Sequence, residues 1–209
     1  MITKSYYNLI NHKMVQFTDN EKKALLTLFK DFTGYYNANS LSKEIGISRI
    51  GAMKFLKKLE NNKIIVGKKI GKSIIYKNNL TDDYVRNLIS FLLSDEANNF
   101  KRWKDEFREL FKNKRVIMLY GSAIIDYSIA KDIDLMVIRE EKDSDEIQKI
   151  VYEKQKILPK KVHLISLSTE EFLKNLINKQ KATIDITKKA IILYGQENYV
   201  EIIKNVTNI

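Results

Sequence analysis

From Lys72 to Tyr120 the chain contains neither glycine nor proline, and this gap limits what it can fold into. The glycines fall at 34, 46, 51, 67 and 71, then only at 121 and 195, and Pro159 is the lone proline. These residues are the strongest local breaks a chain has, so so long a stretch without them must hold long regular structure. Before it lies a much-interrupted segment; after it comes one whose first break, Gly121, ends an apolar run. The expected layout is a part over residues 1–80, a linker helix or helices over 81–113, and a part over 114–209. In the linker, Thr81-Asp82-Asp83 offers a capping hydroxyl and then acids at the positive end of the helix dipole. Tyr84, Leu88, Phe91, Leu92 and Phe100 follow at helical spacing, then Trp103, Phe107 and Leu110. Such a helix can serve as spacer and core, or as the contact of a homodimer.

Charge divides the chain at the same place. The formal net charge is +11, and residues 1–80 carry 15 Lys+Arg against 5 Asp+Glu, leaving 22 against 21 for the remainder. A basic block confined to one part favours an anionic partner, most simply nucleic-acid phosphate. The absence of cysteine excludes disulfides and zinc–thiolate sites and suits a reducing compartment. With no basic-then-apolar leader and no apolar run near about 18 residues, the chain reads as soluble and cytoplasmic, with no membrane contact.

In the first part, Thr18 can cap a helix bearing Leu25, Leu26, Leu28 and Phe29. Residues 40–48 then read as a short helix, a turn at Gly46, and a cap, Ser48, for a helix from Arg49 to Asn61. That second helix turns Ala52, Phe55, Leu56 and Leu59 inward and leaves Ser48, Arg49, Gly51, Met53, Lys54 and Lys57 outside. Two helices joined by a short glycine turn form the helix-turn-helix layout. Next, Ile64-Ile65-Val66 and Ile74-Ile75-Tyr76 are β-rich runs around Gly67-Lys68-Lys69-Ile70-Gly71-Lys72, a hairpin with a basic tip. Residues 18–79 resemble the winged-helix regulators of the MarR and ArsR type. The resemblance implies a DNA-binding surface, with Ser48, Arg49, Lys54 and Lys57 at the groove and Lys68, Lys69 and Lys72 on phosphate. Winged helices also dock proteins or RNA.

In the second part, Val116-Ile117-Met118-Leu119-Tyr120 is a buried-strand run that stops at Gly121-Ser122. Ten residues on, Asp132-Ile133-Asp134 opens another apolar run, and strand alternation puts both carboxylates on one face. Adjacent carboxylates repel, and a hard divalent cation shared with substrate phosphates reverses that cost. Glycine lets backbone approach a phosphate, and the serine hydroxyl and local N–H groups can donate to it. Residues 144–156 supply a crossover helix, and Thr169 and its following acids open another.

Gly-Ser, a spacer and Asp-Ile-Asp-Leu resemble the signature of the DNA polymerase β nucleotidyltransferase superfamily, particularly its small stand-alone members. The resemblance implies an α/β nucleotidyltransferase fold with a mixed sheet behind the mainly α winged helix. It also implies NTP phosphates on Gly121 and Ser122, and Mg²⁺ (or Mn²⁺) on Asp132 and Asp134. This chain departs from the pattern in places. Ala123-Ile124-Ile125-Asp126 replaces the usual small-basic-glycine turn, and Lys131 stands where serine is common. The strand expected to carry a third carboxylate, residues 161–167, offers His163 instead, an imidazole that could act as base. Asp126 and Asp185 are the other acids considered for that role. Three functions follow: nucleotide transfer from an NTP to an acceptor hydroxyl; DNA-binding regulation with a degenerate transferase part that senses nucleotide or dimerises; and antitoxin-type action on a toxin-type protein partner.

Overall fold

The computed structural model describes residues 16–207, so the first fifteen residues of the expected 1–80 part lie outside the described residues. It begins with helices α1 (Asp19–Lys30), α2 (Ala38–Ile45) and α3 (Arg49–Asn61) and a hairpin of β1 (Ile65–Ile70) and β2 (Ser73–Asn78). Thr18 caps α1 in a reciprocal box with Glu21. Asn37 caps α2, and Gly46, with φ of 78°, ends it in the left-handed conformation that glycine adopts without penalty. Ser48 then accepts from the Gly51 N–H to start α3, so the turn between the two helices is as short as the sequence indicates. The hairpin is longer than expected. Ile70 pairs with Ser73, which leaves Gly71-Lys72 as the turn and puts Lys68 and Lys69 in strand β1 rather than at the tip. Tyr76 also donates its N–H to the Tyr36 carbonyl at 2.8 Å, tying the α1–α2 connection to the wing.

The glycine-free stretch forms the expected broken pair of helices, α4 (Asp83–Ala97) and α5 (Lys101–Glu106), with short 3₁₀ turns after each. Its cap and phase differ from the sequence expectation. Asp82, not Thr81, accepts from the Tyr84 N–H. The buried side of α4 carries Val85, Ile89, Leu92 and Leu93, whereas Tyr84 and Phe91 face solvent. Both helical stripes are apolar, and the β-branched and leucine stripe is the one that meets neighbours.

Strands β3 (Val116–Tyr120), β4 (Asp132–Arg139), β5 (Lys161–Ser168) and β6 (Ile191–Tyr194) form one mixed sheet in the order β5-β4-β3-β6. β3 is antiparallel to β4 and β6, and β4 is parallel to β5 through the crossover helix α6 (Ser144–Ile157). Helices α7 (Thr169–Ile177), α8 (Lys181–Lys189) and α9 (Gln196–Thr207) complete the described chain. The cap of α7 is Ser168, boxed with Glu171, with Thr169 one residue inside the helix. This assigns Glu171 to the helix start, as its position suggests.

Alternation along the strands gives the sheet two apolar faces. Ile117, Leu119, Ile133, Leu135 and Val137 pack under Trp103, Phe107, Leu110 and Ile147. Val116, Met118, Met136, Ile138 and Ile192 belong to a cluster that continues through Phe172 and Tyr199 into Leu25, Phe29, Leu56 and Leu93. The helix-turn-helix and one face of the sheet therefore share one core, and the stretch between them is core on both faces. At the junction Lys30 is buried: its Nζ lies 2.6 Å from both Glu96 carboxylate oxygens and donates to the Ala190 carbonyl at 2.8 Å. Burial holds the Lys30 ammonium below the ordinary lysine range, against the pull of Glu96.

Removing one partner of such a pair strands the other. Lys30→Ala is expected to lose about 3 kcal/mol in urea unfolding, and Lys30→Met, which retains the stem volume, measurably less.

Candidate functional site

Because β3 and β4 are antiparallel, the end of one lies beside the start of the other. Tyr120 pairs with Asp134, and Gly121 follows at once with φ of 79°. A Cβ at Gly121 would stand 2.0 Å from Asp134 Oδ2. Glycine is thus required there twice, by its backbone conformation and by the carboxylate pressed against it. Ser122 opens a 3₁₀ turn, Ser122–Ile124, and is exposed.

β5 brings the third group. Its register sets His163 opposite Asp134 and Lys161 opposite Asp132, all on the same face of the sheet. His163 Nδ1 lies 3.2 Å from Asp132 Oδ2 and 3.6 Å from Asp134 Oδ1. Among the described residues, Asp132, Asp134 and His163 form the one group of metal-ligating side chains whose donor atoms all lie within 4.8 Å of one another. Burial, with Asp132 beside it, raises the Asp134 carboxyl, while His163 opposes the shift. Burial and the same carboxylates push the Tyr120 hydroxyl up to about 12. Negative charge is concentrated at this end of the sheet, which is the condition a cation relieves. Two carboxylates and an imidazole are a donor set that fits a divalent cation.

The other acids considered are elsewhere. Asp126 accepts from the Ser128 hydroxyl at 2.6 Å and the Ser128 N–H at 2.8 Å, bonds that hold its carboxyl below the usual range. It shapes the connection from Gly121 to Asp132, and Asp185 lies exposed on α8. That connection is pinned by a residue the sequence did not mark. Lys160 Nζ donates to the carbonyls of Tyr127, Ser128 and Ala130 and sits 4.4 Å over the Tyr127 ring. The Arg102 guanidinium covers the same ring at 4.2 Å. The one hint available in the sequence was a lysine directly after the only proline, and that motif has no fixed meaning.

The basic surface lies on the helix-turn-helix. Ser48, Arg49, Lys54, Lys57, Lys68, Lys69 and Lys72 are all exposed. Arg49 and Lys72 line one groove, of 520 Å³, between the start of α3, the hairpin and the start of α2. Ser48 is engaged in the helix cap. Lys58, on the flank of α3, is tied to Glu21 at 2.8 Å and to the Gln16 carbonyl, whereas the six cations named above have no ion-pair partner among the described residues. Of the apolar members of this surface, sequence patterning left Met53 outside, as it is, and missed Ile50. Among the described residues, no helix is long and apolar enough to cross a membrane.

No protein-family model and no curated protein matches the chain. Among solved structures, the adhesin competence repressor (AdcR) from Streptococcus pyogenes is similar at 16% identity and a TM-score of 0.37, covering 55% of this chain and 86% of that one.

Two glycine substitutions contrast a strained turn in open space with a more strained one pressed against a carboxylate. Gly46 shares the positive φ of Gly121 but has a left-handed helical ψ of 39° where Gly121 has −161°, and a Cβ at Gly46 meets nothing within 4 Å. Gly46→Ala is expected to cost about 1 kcal/mol from the backbone alone. Gly121→Ala is expected to cost about 2–3 kcal/mol, because the Asp134 carboxylate must also move. Thermal unfolding of the two variants reads the difference.

Proposed function

We propose that this is a DNA-binding protein of the regulator kind, whose sheet-end site takes a nucleotide together with a divalent cation. The observation that carries the reading is the array of unpaired, exposed cations. Arg49, Lys54 and Lys57 lie along one side of α3, and Lys68, Lys69 and Lys72 lie on the hairpin beside it. An α-helix fits the major groove, and a hairpin at its flank reaches the neighbouring phosphates.

At the sheet end, Asp132 and Asp134 would hold Mg²⁺ (or Mn²⁺), with His163 as the third donor of the group. Gly121 and Ser122 would take the phosphates of an NTP on backbone N–H and hydroxyl. When bound, the cation neutralises the two carboxylates and the phosphate oxygens. The regulator reading treats the nucleotide as an effector, because the third position of the site holds an imidazole. A second reading, nucleotide transfer to an acceptor hydroxyl, is favoured by one observation. The His163 imidazole stands 3.2 Å from Asp132 and 3.6 Å from Asp134, at hand to take a proton from the acceptor. A second copy of the chain, meeting through Tyr84 and Phe91 on the outer side of α4, or a toxin-type protein, completes the set of partners proposed.

For DNA, log affinity is expected to fall steeply and linearly with log salt, and Lys68/Lys69/Lys72→Ala should flatten that slope by about three units. A salt-independent association would remove the DNA reading. For the sheet end, calorimetry with Mg²⁺ or Mn²⁺ and each NTP is expected to show metal-dependent binding that Asp132→Asn abolishes. Incubation with labelled NTP and cell extract then separates the two readings: retained label on unconverted nucleotide supports the effector role, and label moved into protein, RNA or a small molecule supports transfer.

A further inference from the structure

We infer that Ile50 and Met53 on α3 read thymine methyl groups in the major groove, so that the preferred DNA site is defined by thymines more than by hydrogen bonds to base edges. The inference rests on the DNA reading of the helix-turn-helix. Ile50 is 68% exposed and Met53 52%, three residues apart on the outward side of α3, so one stands above the other. Arg49, Lys54 and Lys57 flank them, all exposed. An exposed isoleucine or methionine alone means little, but this pair lies between the cations that would bracket the two phosphate backbones.

The inventory of α3 narrows what the helix can recognise. Adenine is read by asparagine or glutamine, cytosine by a carboxylate, and guanine by arginine or lysine. From Arg49 to Leu59 the helix has no Asn, Gln, Asp, Glu, Ser or Thr, and the Ser48 hydroxyl accepts from the Gly51 N–H at 3.1 Å. Arg49 at the first turn, with Lys54 and Lys57 beyond it, remains for guanine or for phosphate. The apolar pair matches one feature of the base edges: the thymine C5-methyl is the apolar group that the major groove displays. Met53 also lines the groove shared with Ile74 and Lys72 of the hairpin. Its long, adaptable side chain is thereby steered along the groove floor.

The test uses the full chain and random duplex DNA. Duplexes selected for binding are expected to carry thymines at fixed spacing. Resynthesis with deoxyuridine at those positions removes only the methyls, and affinity should fall about fourfold for each contacted methyl, with the salt slope unchanged. Ile50→Ala and Met53→Ala replace exposed side chains with a strong helix former, so the fold should hold, as circular dichroism would check. Each should shrink the thymine-to-deoxyuridine difference, and the double variant should abolish it. Equal affinity of the unaltered protein for thymine and deoxyuridine duplexes would overturn the inference while leaving DNA binding intact. A difference that survives in the double variant would overturn it too. Failure to bind any duplex would instead remove the DNA reading beneath it.

Discussion

The antiparallel register of β3 on β4 is the constraint on which the rest of the molecule depends. With Tyr120 opposite Asp134, the Gly121 corner falls against the second carboxylate of Asp132-Ile133-Asp134. A slip of one residue would turn every side chain of β4 to the other face and put Ile133 where Asp134 stands. The same register assigns Met118 and Met136 to one core and Leu119 and Leu135 to the other. One pairing therefore decides both where the charges gather and which helices cover which face. β5 inherits the arrangement, because its parallel alignment with β4 is what presents His163 to the acids.

The second organising contact lies at the other side of that sheet. Lys30 ends α1 of the helix-turn-helix, Glu96 lies near the end of α4, and Ala190 immediately precedes β6. One ammonium thus ties three segments far apart in sequence, at a point where water is excluded. The hydrophobic cluster around it does the bulk of the stabilising, and the ion pair fixes the orientation in which the apolar surfaces meet. Tyr199, wholly buried nearby, has its hydroxyl ionisation raised by burial and by Glu96.

Much of the local order was legible in the sequence because it follows from short-range rules. Thr18, Ser48, the Gly46 turn, the run ending at Gly121-Ser122 and the pair Asp132/Asp134 each occupy the position their chemistry suggests. His163 was singled out because the resemblance calls for a carboxylate on that strand, and the register sets it beside both acids. What the sequence concealed is what depends on neighbours. α4 has two apolar stripes, and only packing against the sheet and α1 decides that Val85 and Ile89 are inside and Phe91 outside. Thr81 and Asp82 are both good caps, as are Ser168 and Thr169, and the pattern alone does not choose between neighbours one residue apart. Lys160 gains its role from three carbonyls that a loop happens to turn toward it. The extent of the hairpin was underread because lysines lower strand propensity, while pairing across Gly71-Lys72 restores it.

The shared core has a consequence for how such a chain can be rearranged. A helix-turn-helix with its own closed interior can be moved between proteins like a plug. Here Leu25, Phe29 and Leu56 are buried in the same cluster as Ile192, Phe172 and Tyr199. Cutting near residue 80 would leave each fragment with a raw apolar wall, and a different partner grafted on either side would have to reproduce the facing relief. The two parts are not interchangeable modules: they share one interior, and a substitution at their seam is felt by both.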